Sequence, residues 1–163
     1  EGLRKQPDEI IHRLLLGALR WVSGAGYPLR RQIMREALDT VRTGGGLTLG
    51  GCRILSRRGQ VWICREYNAV RDDVVQPDRL WDNRWRLEGG DVSNLEVRPL
   101  GKAGVSLCPH WRDSGCPREV LEATPSLWRG QDLIAAPMAK MANGCTVKAV
   151  ISDEEFYAGL LSH

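Results

Sequence analysis

Cys108, His110 and Cys116, spaced C-x-H-x5-C, are the residues of this 163-residue chain whose types best suit metal binding or nucleophilic catalysis. Zinc takes thiolate and imidazole ligands, usually four in a tetrahedron, and Cys145 would be the fourth. The paired C-x2-C spacing of structural zinc sites is missing, and Pro109 with Trp111 suits a packed loop, so no metal is expected. Cys116 precedes an expected helix, where a thiol pKa tends to fall, and His110 could serve as its base. The competing reading is an inert, buried cysteine. The carboxylate pairs Asp72-Asp73 and Glu154-Glu155 are adjacent in sequence, so their members do not face one another, and they read as solvated charge. Gly44-Gly45-Gly46 follows a helix instead of opening one, and no Gly-Lys-Ser/Thr comes after it, so it is not a phosphate loop. No catalytic residue is expected in this chain.

The arginines are a different matter. They outnumber lysine nineteen to four, and a guanidinium suits bidentate phosphate contact and stacking on bases. A GC-rich genome would produce the same excess. The net charge of +3 argues for no partner, but its distribution is uneven. Residues 1–66 hold twelve Lys/Arg and six Asp/Glu, whereas residues 67–163 hold eleven and fourteen. Such asymmetry points to an anionic partner for the basic half. Five cysteines at irregular spacing form no disulfide framework, and there is neither an export signal nor an apolar run long enough to span a membrane. A cytoplasmic location is expected. The chain opens on charged residues without a methionine and reads as part of something longer.

The elements that must hold these side chains follow from periodicity. Ile11, Leu14, Leu15, Ala18, Leu19 and Val22 recur at helical spacing over Pro7–Val22, and Gly24 and Gly26 end that helix. A second helix runs from Pro28 or Leu29 to Thr43, with Ile33, Met34, Ala37, Leu38 and Val41 buried. The short link makes the pair an antiparallel hairpin. Arg31, Arg35 and Arg42 share one stripe of the second helix, with Arg30 at its first turn; they form either a phosphate-facing ridge or an ordinary solvated face. Leu47 to Arg65 reads as a β-hairpin with Arg57 and Arg58 at its tip. The polar stretch Tyr67–Leu80 is the expected linker. Beyond it lie short strands near Trp81–Leu87, Asn94–Leu100 and Thr146–Ile151, with positive φ expected at Asp82-Asn83. A helix beginning near Pro117, capped by Asp113 or Ser114, leads to a hairpin turning at Arg129-Gly130-Gln131. A terminal helical turn covers Glu154–Leu161, and the six tryptophans must supply most of the aromatic core. The expected fold class is α+β. A helical hairpin with a β-hairpin fills 1–75, and a small mixed α+β domain of short strands with one or two helices fills 76–163.

Two stretches carry a family resemblance. From Ser114 to Pro137, a helix after Gly-x-Pro is followed by Thr124-Pro125-Ser126-Leu127 and a hairpin ending in Leu133-Ile-Ala-Ala. Upstream come Leu19-Arg20-Trp21, then Gly26-Tyr27-Pro28-Leu29-Arg30, a helix, and Leu47-Thr-Leu-Gly-Gly-Cys-Arg. In this order they resemble the C-terminal region of the tRNA(Ile)-lysidine synthetase family, a branch of the PP-loop ATP pyrophosphatases. The resemblance implies a ligase that adenylates the wobble cytidine of an isoleucine tRNA with a CAU anticodon and then attaches lysine. It places ATP and Mg in an N-terminal catalytic domain whose Ser-Gly-Gly-x-Asp-Ser loop is not in this chain, so no cofactor is expected here. It also implies that the present chain grips tRNA and partners its own catalytic domain, inactive alone; whether it pairs as a homodimer stays open. Arg30 matches the family's Pro-x-Arg and is expected to touch tRNA. The family often has an arginine shortly before Thr-Pro, where this chain has Leu121, and Arg118 is the nearest substitute. Charge logic adds Arg31, Arg35, Arg57, Arg58, Arg112 and Arg129 to the expected tRNA contacts. A protein-binding module without RNA affinity, and a small thiol or zinc enzyme, are the other open readings.

Overall fold

The computed structural model describes residues 2–24, 30–151 and 153–161, with the side chains of 153 and 159–161 left aside. Its residues divide into two compact units, Glu1–Glu66 with Ile151–His163, and Tyr67–Val150. The mixture of helices and small antiparallel sheets is the α+β class expected.

In the first unit, helix α1 (Asp8–Ser23) buries Ile11, Leu15, Leu19 and Val22 and stops at Gly24, whose left-handed φ of 65° closes the end. Helix α2 (Arg31–Thr43) buries Met34, Ala37 and Val41 against the same core. The expected junction at Gly26, Pro28 and Leu29 lies outside the described residues. Arg42, near the end of α2, donates to Asp8 Oδ1 (3.0 Å), to the Arg4 carbonyl (2.8 Å) and to the Gln6 carbonyl (3.0 Å). The end of α2 therefore meets the start of α1, as an antiparallel hairpin requires.

The expected β-hairpin is instead a three-stranded antiparallel meander: β1 (Gly45–Leu49), β2 (Cys52–Arg57) and β3 (Gln60–Arg65). Gly50 and Gly51 both take positive φ, 55° and 71°, and this two-residue turn brings Leu49 opposite Cys52. Arg58 (51°) and Gly59 (78°) repeat the device between Arg57 and Gln60. A single long strand was expected where the glycine pair folds the chain back. The C-terminal helix α6 (Asp153–Leu161) packs on α1, with the Phe156 ring 5.5 Å from that of Trp21.

The second unit begins at Tyr67, not at 76, because the expected linker is itself folded. It forms the short helix α3 (Tyr67–Val70), whose Val70 is buried, and Val75 pairs with Val97 through reciprocal backbone bonds of 3.0 and 2.8 Å. The Asp73 carbonyl accepts from Trp81 Nε1 at 2.8 Å and its carboxylate from the Asp82 amide at 2.8 Å. Asp82 and Asn83 take the positive φ expected of them, 50° and 54°, and lead into β4 (Trp85–Glu88), which pairs with β8 (Thr146–Ala149). The other sheet has the order β5 (Glu96–Pro99), β6 (Pro125–Arg129), β7 (Asp132–Ala135).

Helix α4 (Gly101–Leu107) was not foreseen, because its buried positions are Gly101, Gly104 and Val105 and two glycines leave no apolar period to read. Helix α5 (Arg118–Glu122) is preceded by Pro117 and takes no side-chain cap. Ser114 Oγ instead accepts from the Cys116 amide at 3.1 Å and donates to the Trp111 carbonyl at 2.6 Å, closing its own turn. Of the six tryptophans, Trp81 and Trp128 are buried and the rest half-buried, so the aliphatic side chains carry more of the core than expected.

Gly104 gives a test of this packing. A Cβ there would lie 2.5 Å from Leu100 Cδ1, 2.9 Å from Leu100 Cγ and 3.1 Å from the Trp128 ring. Helix propensity favours Gly→Ala by about 1 kcal/mol. Overpacking against Leu100, itself only 2% exposed, opposes it by about 1–3 kcal/mol. Gly104→Ala is therefore expected to lower the denaturation midpoint in a urea titration, and a raised midpoint would contradict the packing described.

Candidate nucleic-acid interface

The thiol and imidazole groups do not converge. Cys108 is buried, with its thiol toward the Gly104 carbonyl (3.4 Å), and burial pushes its pKa up, opposite to the shift a nucleophile needs. Burial likewise raises the Cys145 thiol, which lies against the Gly89 carbonyl at 3.4 Å. Cys116 points at the Ser114 carbonyl (3.8 Å), while His110 is exposed beside Asp113 at 3.6 Å. Among the described residues no three His, Cys, Asp or Glu side chains are placed to share a metal ion. Gly44 closes α2 and Gly45 and Gly46 lie in β1, so the glycine triplet is a helix-to-strand junction.

All eight arginines expected to touch RNA are exposed, but in different settings. Arg30 is the residue before α2, and Arg31 and Arg35 stand one helical turn apart on its solvent side. Arg42, read as part of the same stripe, is committed to tying down the N-terminal segment. Arg57 and Arg58 occupy the β2–β3 turn. The adjoining Ser56 donates to the Val41 carbonyl at 3.1 Å, which sets that turn beside the C-terminal end of α2. At 1.5 Å per residue the helix is about 20 Å long, so the first unit has two basic poles, not one patch.

In the second unit, Arg118 brackets two helices. It reaches Glu122 (3.3 Å), the Lys102 carbonyl (3.0 Å) and Ser106 Oγ (3.0 Å), which joins α5 to α4. Leu121, at the place where the family often has arginine, is wholly buried. Arg112 lies over the Trp111 ring at 4.6 Å, and Arg129 ends β6.

Charge reasoning missed Arg98. Its guanidinium lies 4.3 Å from the Trp128 ring centroid, 3.4 Å from Glu96 Oε1, and donates to the Gly130 carbonyl. The alternation of Glu96 and Arg98 against Leu95 and Val97 shows that it faces outward. The β5–β6 register, which sets Glu96 opposite Trp128 and Arg98 one step diagonal to it, is not visible in the sequence. The Tyr67–Val150 unit holds eleven Lys/Arg and eleven Asp/Glu and is neutral; the acidic excess of the second half comes from Asp153, Glu154 and Glu155, which belong with the first unit. No helix among the described residues is long and apolar enough to cross a membrane.

No family model matches the chain. It is 48% identical over 162 residues to the tRNA(Ile)-lysidine synthase of Ruegeria pomeroyi. The match takes in 99% of this chain and 39% of that protein, so the chain spans about two-fifths of its relative's length. The resemblance carried by the Ser114–Pro137 and Leu19–Arg53 stretches thus runs through almost the whole chain.

Proposed function

From its likeness to tRNA(Ile)-lysidine synthase we propose that this chain is the tRNA-gripping C-terminal part of such an enzyme. In this reading the whole protein is a cytoplasmic ligase that uses ATP and Mg in its catalytic domain to join lysine to the wobble cytidine of an isoleucine tRNA. The observation that carries the reading is the 48% identity along 99% of the chain, confined to 39% of the relative. A piece of that size without a phosphate loop is a partner to catalysis and not its seat.

The chain's own residues supply cations on rigid supports. Arg30, Arg31 and Arg35 meet phosphates from α2, and Arg57 and Arg58 from a two-residue turn about 20 Å away along that helix. Folded RNA is recognised largely through shape, phosphate and 2′-hydroxyl contacts, which such spaced cations can supply without reading sequence. Arg112 and Arg129 add contacts from the second unit. Arg118 serves as the bracket between α4 and α5.

The test is a titration of the chain against isoleucine tRNA and duplex DNA at several salt concentrations. With on the order of four phosphates engaged, affinity for tRNA falls with roughly the third to fourth power of salt. Absence of tRNA binding at low salt, or equal affinity for duplex DNA, would overturn the reading and leave a protein-binding module in its place. Supplied with ATP, lysine and tRNA but no catalytic domain, the chain is expected to release no AMP.

A further inference from the structure

The Tyr67–Val150 unit contains an open cleft of about 330 Å³ walled by Tyr67, Arg71, Arg98, Leu107, Trp128 and Gln131. Its lining includes two arginines, two aromatic rings and a carboxamide, and no carboxylate. Leu107 is 55% exposed and Tyr67 37%, so the apolar side of the cleft is open to solvent. None of these six was among the arginines or cysteines singled out in the sequence.

The wall at Arg98 is pre-built. The Trp128 indole backs the guanidinium at 4.3 Å, the Gly130 carbonyl takes one of its N–H groups, and Glu96 lies 3.4 Å from another nitrogen. Trp128 is itself fixed, donating Nε1–H to Ser126 Oγ at 2.8 Å, while Ser126 Oγ donates to the Arg98 carbonyl at 2.9 Å. Tyr67 packs over Gly101, its phenolic oxygen and two ring carbons 3.2–3.6 Å from where a Cβ would stand. Gly101 has a φ of +66° and is buried, so the close approach depends on its lacking a side chain. Two flat groups thus wall one cleft, of which the Arg98 plane is held in place before any ligand arrives. Arg71 at its rim is paired with Asp72 at 3.2 Å and is exposed, so it can exchange that partner for a phosphate.

We propose that this cleft takes one unpaired nucleotide of an RNA. The base stacks on the Arg98 plane and the Tyr67 ring, Arg71 meets its phosphate, and Gln131 offers both a donor and an acceptor to the base edge. A guanidinium already backed by an indole can stack its free face without losing further side-chain freedom, which favours a base over a simple anion. A base-paired nucleotide has its faces covered by its neighbours, so the site selects single strand over helix. The inference rests on the RNA-binding reading above and adds to it a second, non-electrostatic mode of contact.

The test compares two RNA hairpins of identical stem, each closed by a non-nucleotide linker in place of a loop, one blunt and one with a four-nucleotide single-stranded tail carrying 2-aminopurine. The tail is expected to raise affinity about tenfold, within the range of one stacked base, and its fluorescence to be quenched on binding. Arg98→Lys keeps the charge and removes the plane; Tyr67→Ala removes the second ring; Arg71→Ala alters an exposed residue and guards against a folding failure in the other two. The first two should abolish the increment and the quenching while binding of the blunt hairpin stays as it was. Arg71→Ala should reduce the increment and flatten its salt dependence. Equal affinity for both hairpins, or a tail increment unchanged in Arg98→Lys and Tyr67→Ala, overturns the cleft while the wider reading stands. Failure of the unaltered chain to bind either hairpin overturns both.

Discussion

Trp81→Ala should lower the melting temperature of the Tyr67–Val150 unit by about 15–45 °C. The indole is completely buried among Val70, Leu87, Leu95, Val97 and Leu127, and is the largest fully buried side chain described. Truncating such a residue destabilises by about 3–5 kcal/mol through lost transfer energy and the cavity left behind. The Asp73 carbonyl also loses its indole donor, 2.8 Å away, for roughly another 1 kcal/mol. A unit of this size has about 4–13 kcal/mol in total, and each kcal/mol moves its melting point by about 4–8 °C. Near-UV circular dichroism against temperature reads the effect. Trp81→Phe weights the two causes differently, since it loses the hydrogen bond but keeps most of the volume, for a deficit of about 1–2 kcal/mol. A Trp81→Ala protein that melts within two or three degrees of the parent, roughly half a kcal/mol, would show that Tyr67–Leu80 is not anchored as described.

Replacing Arg30, Arg31 and Arg35 together by alanine should weaken tRNA binding on the order of a hundredfold at 0.1 M salt. Each phosphate contact contributes a counterion factor of about fivefold to sixfold at that concentration, and three contacts multiply. The slope of affinity against salt should flatten by about two to three units. The fold is expected to survive, because the three side chains are exposed and alanine is the stronger helix former. Arg42→Ala makes the contrast. Arg42 holds Asp8 and two N-terminal carbonyls, so its loss should lower stability while leaving the salt slope unchanged. If the triple variant bound tRNA as the parent does, α2 would be a solvated face and the grip would lie elsewhere.

The division of labour between these arginines shows where sequence reading reaches its end. Arg31, Arg35 and Arg42 share a stripe by spacing alone, and their type and charge are identical. Only the packing of α2 against α1 decides that Arg42 meets three acceptors while Arg31 and Arg35 face water. Arg118 is a similar case, since Lys102 and Ser106 lie far from it in sequence and near it only once α4 and α5 pack. Arg98 is the converse: its neighbours in sequence suggested an ordinary strand position, and a cross-strand diagonal lays its guanidinium over the Trp128 ring.

Periodicity and turn chemistry did determine much by themselves. Helices α1 and α2, the positive φ at Asp82-Asn83, the hairpin around Gly130 and the α+β class all follow from local forces, because each depends on residues within a turn or two of one another. So does the serial order of motifs that links the chain to lysidine synthases. What only the tertiary structure decided depends on residues distant in sequence. The polar run Tyr67–Leu80 became part of a core because Val97 and Trp81 return to pair with it. Helix α4 formed around two glycines because Tyr67 fills the space a side chain would have taken at Gly101, and Leu100 and Trp128 fill it at Gly104. Cys108 and Cys145 lie against backbone carbonyls in the core, where burial raises the pKa of both thiols. Local spacing can nominate a side chain for a task, but its exposure and partners are set by segments that meet it only after folding.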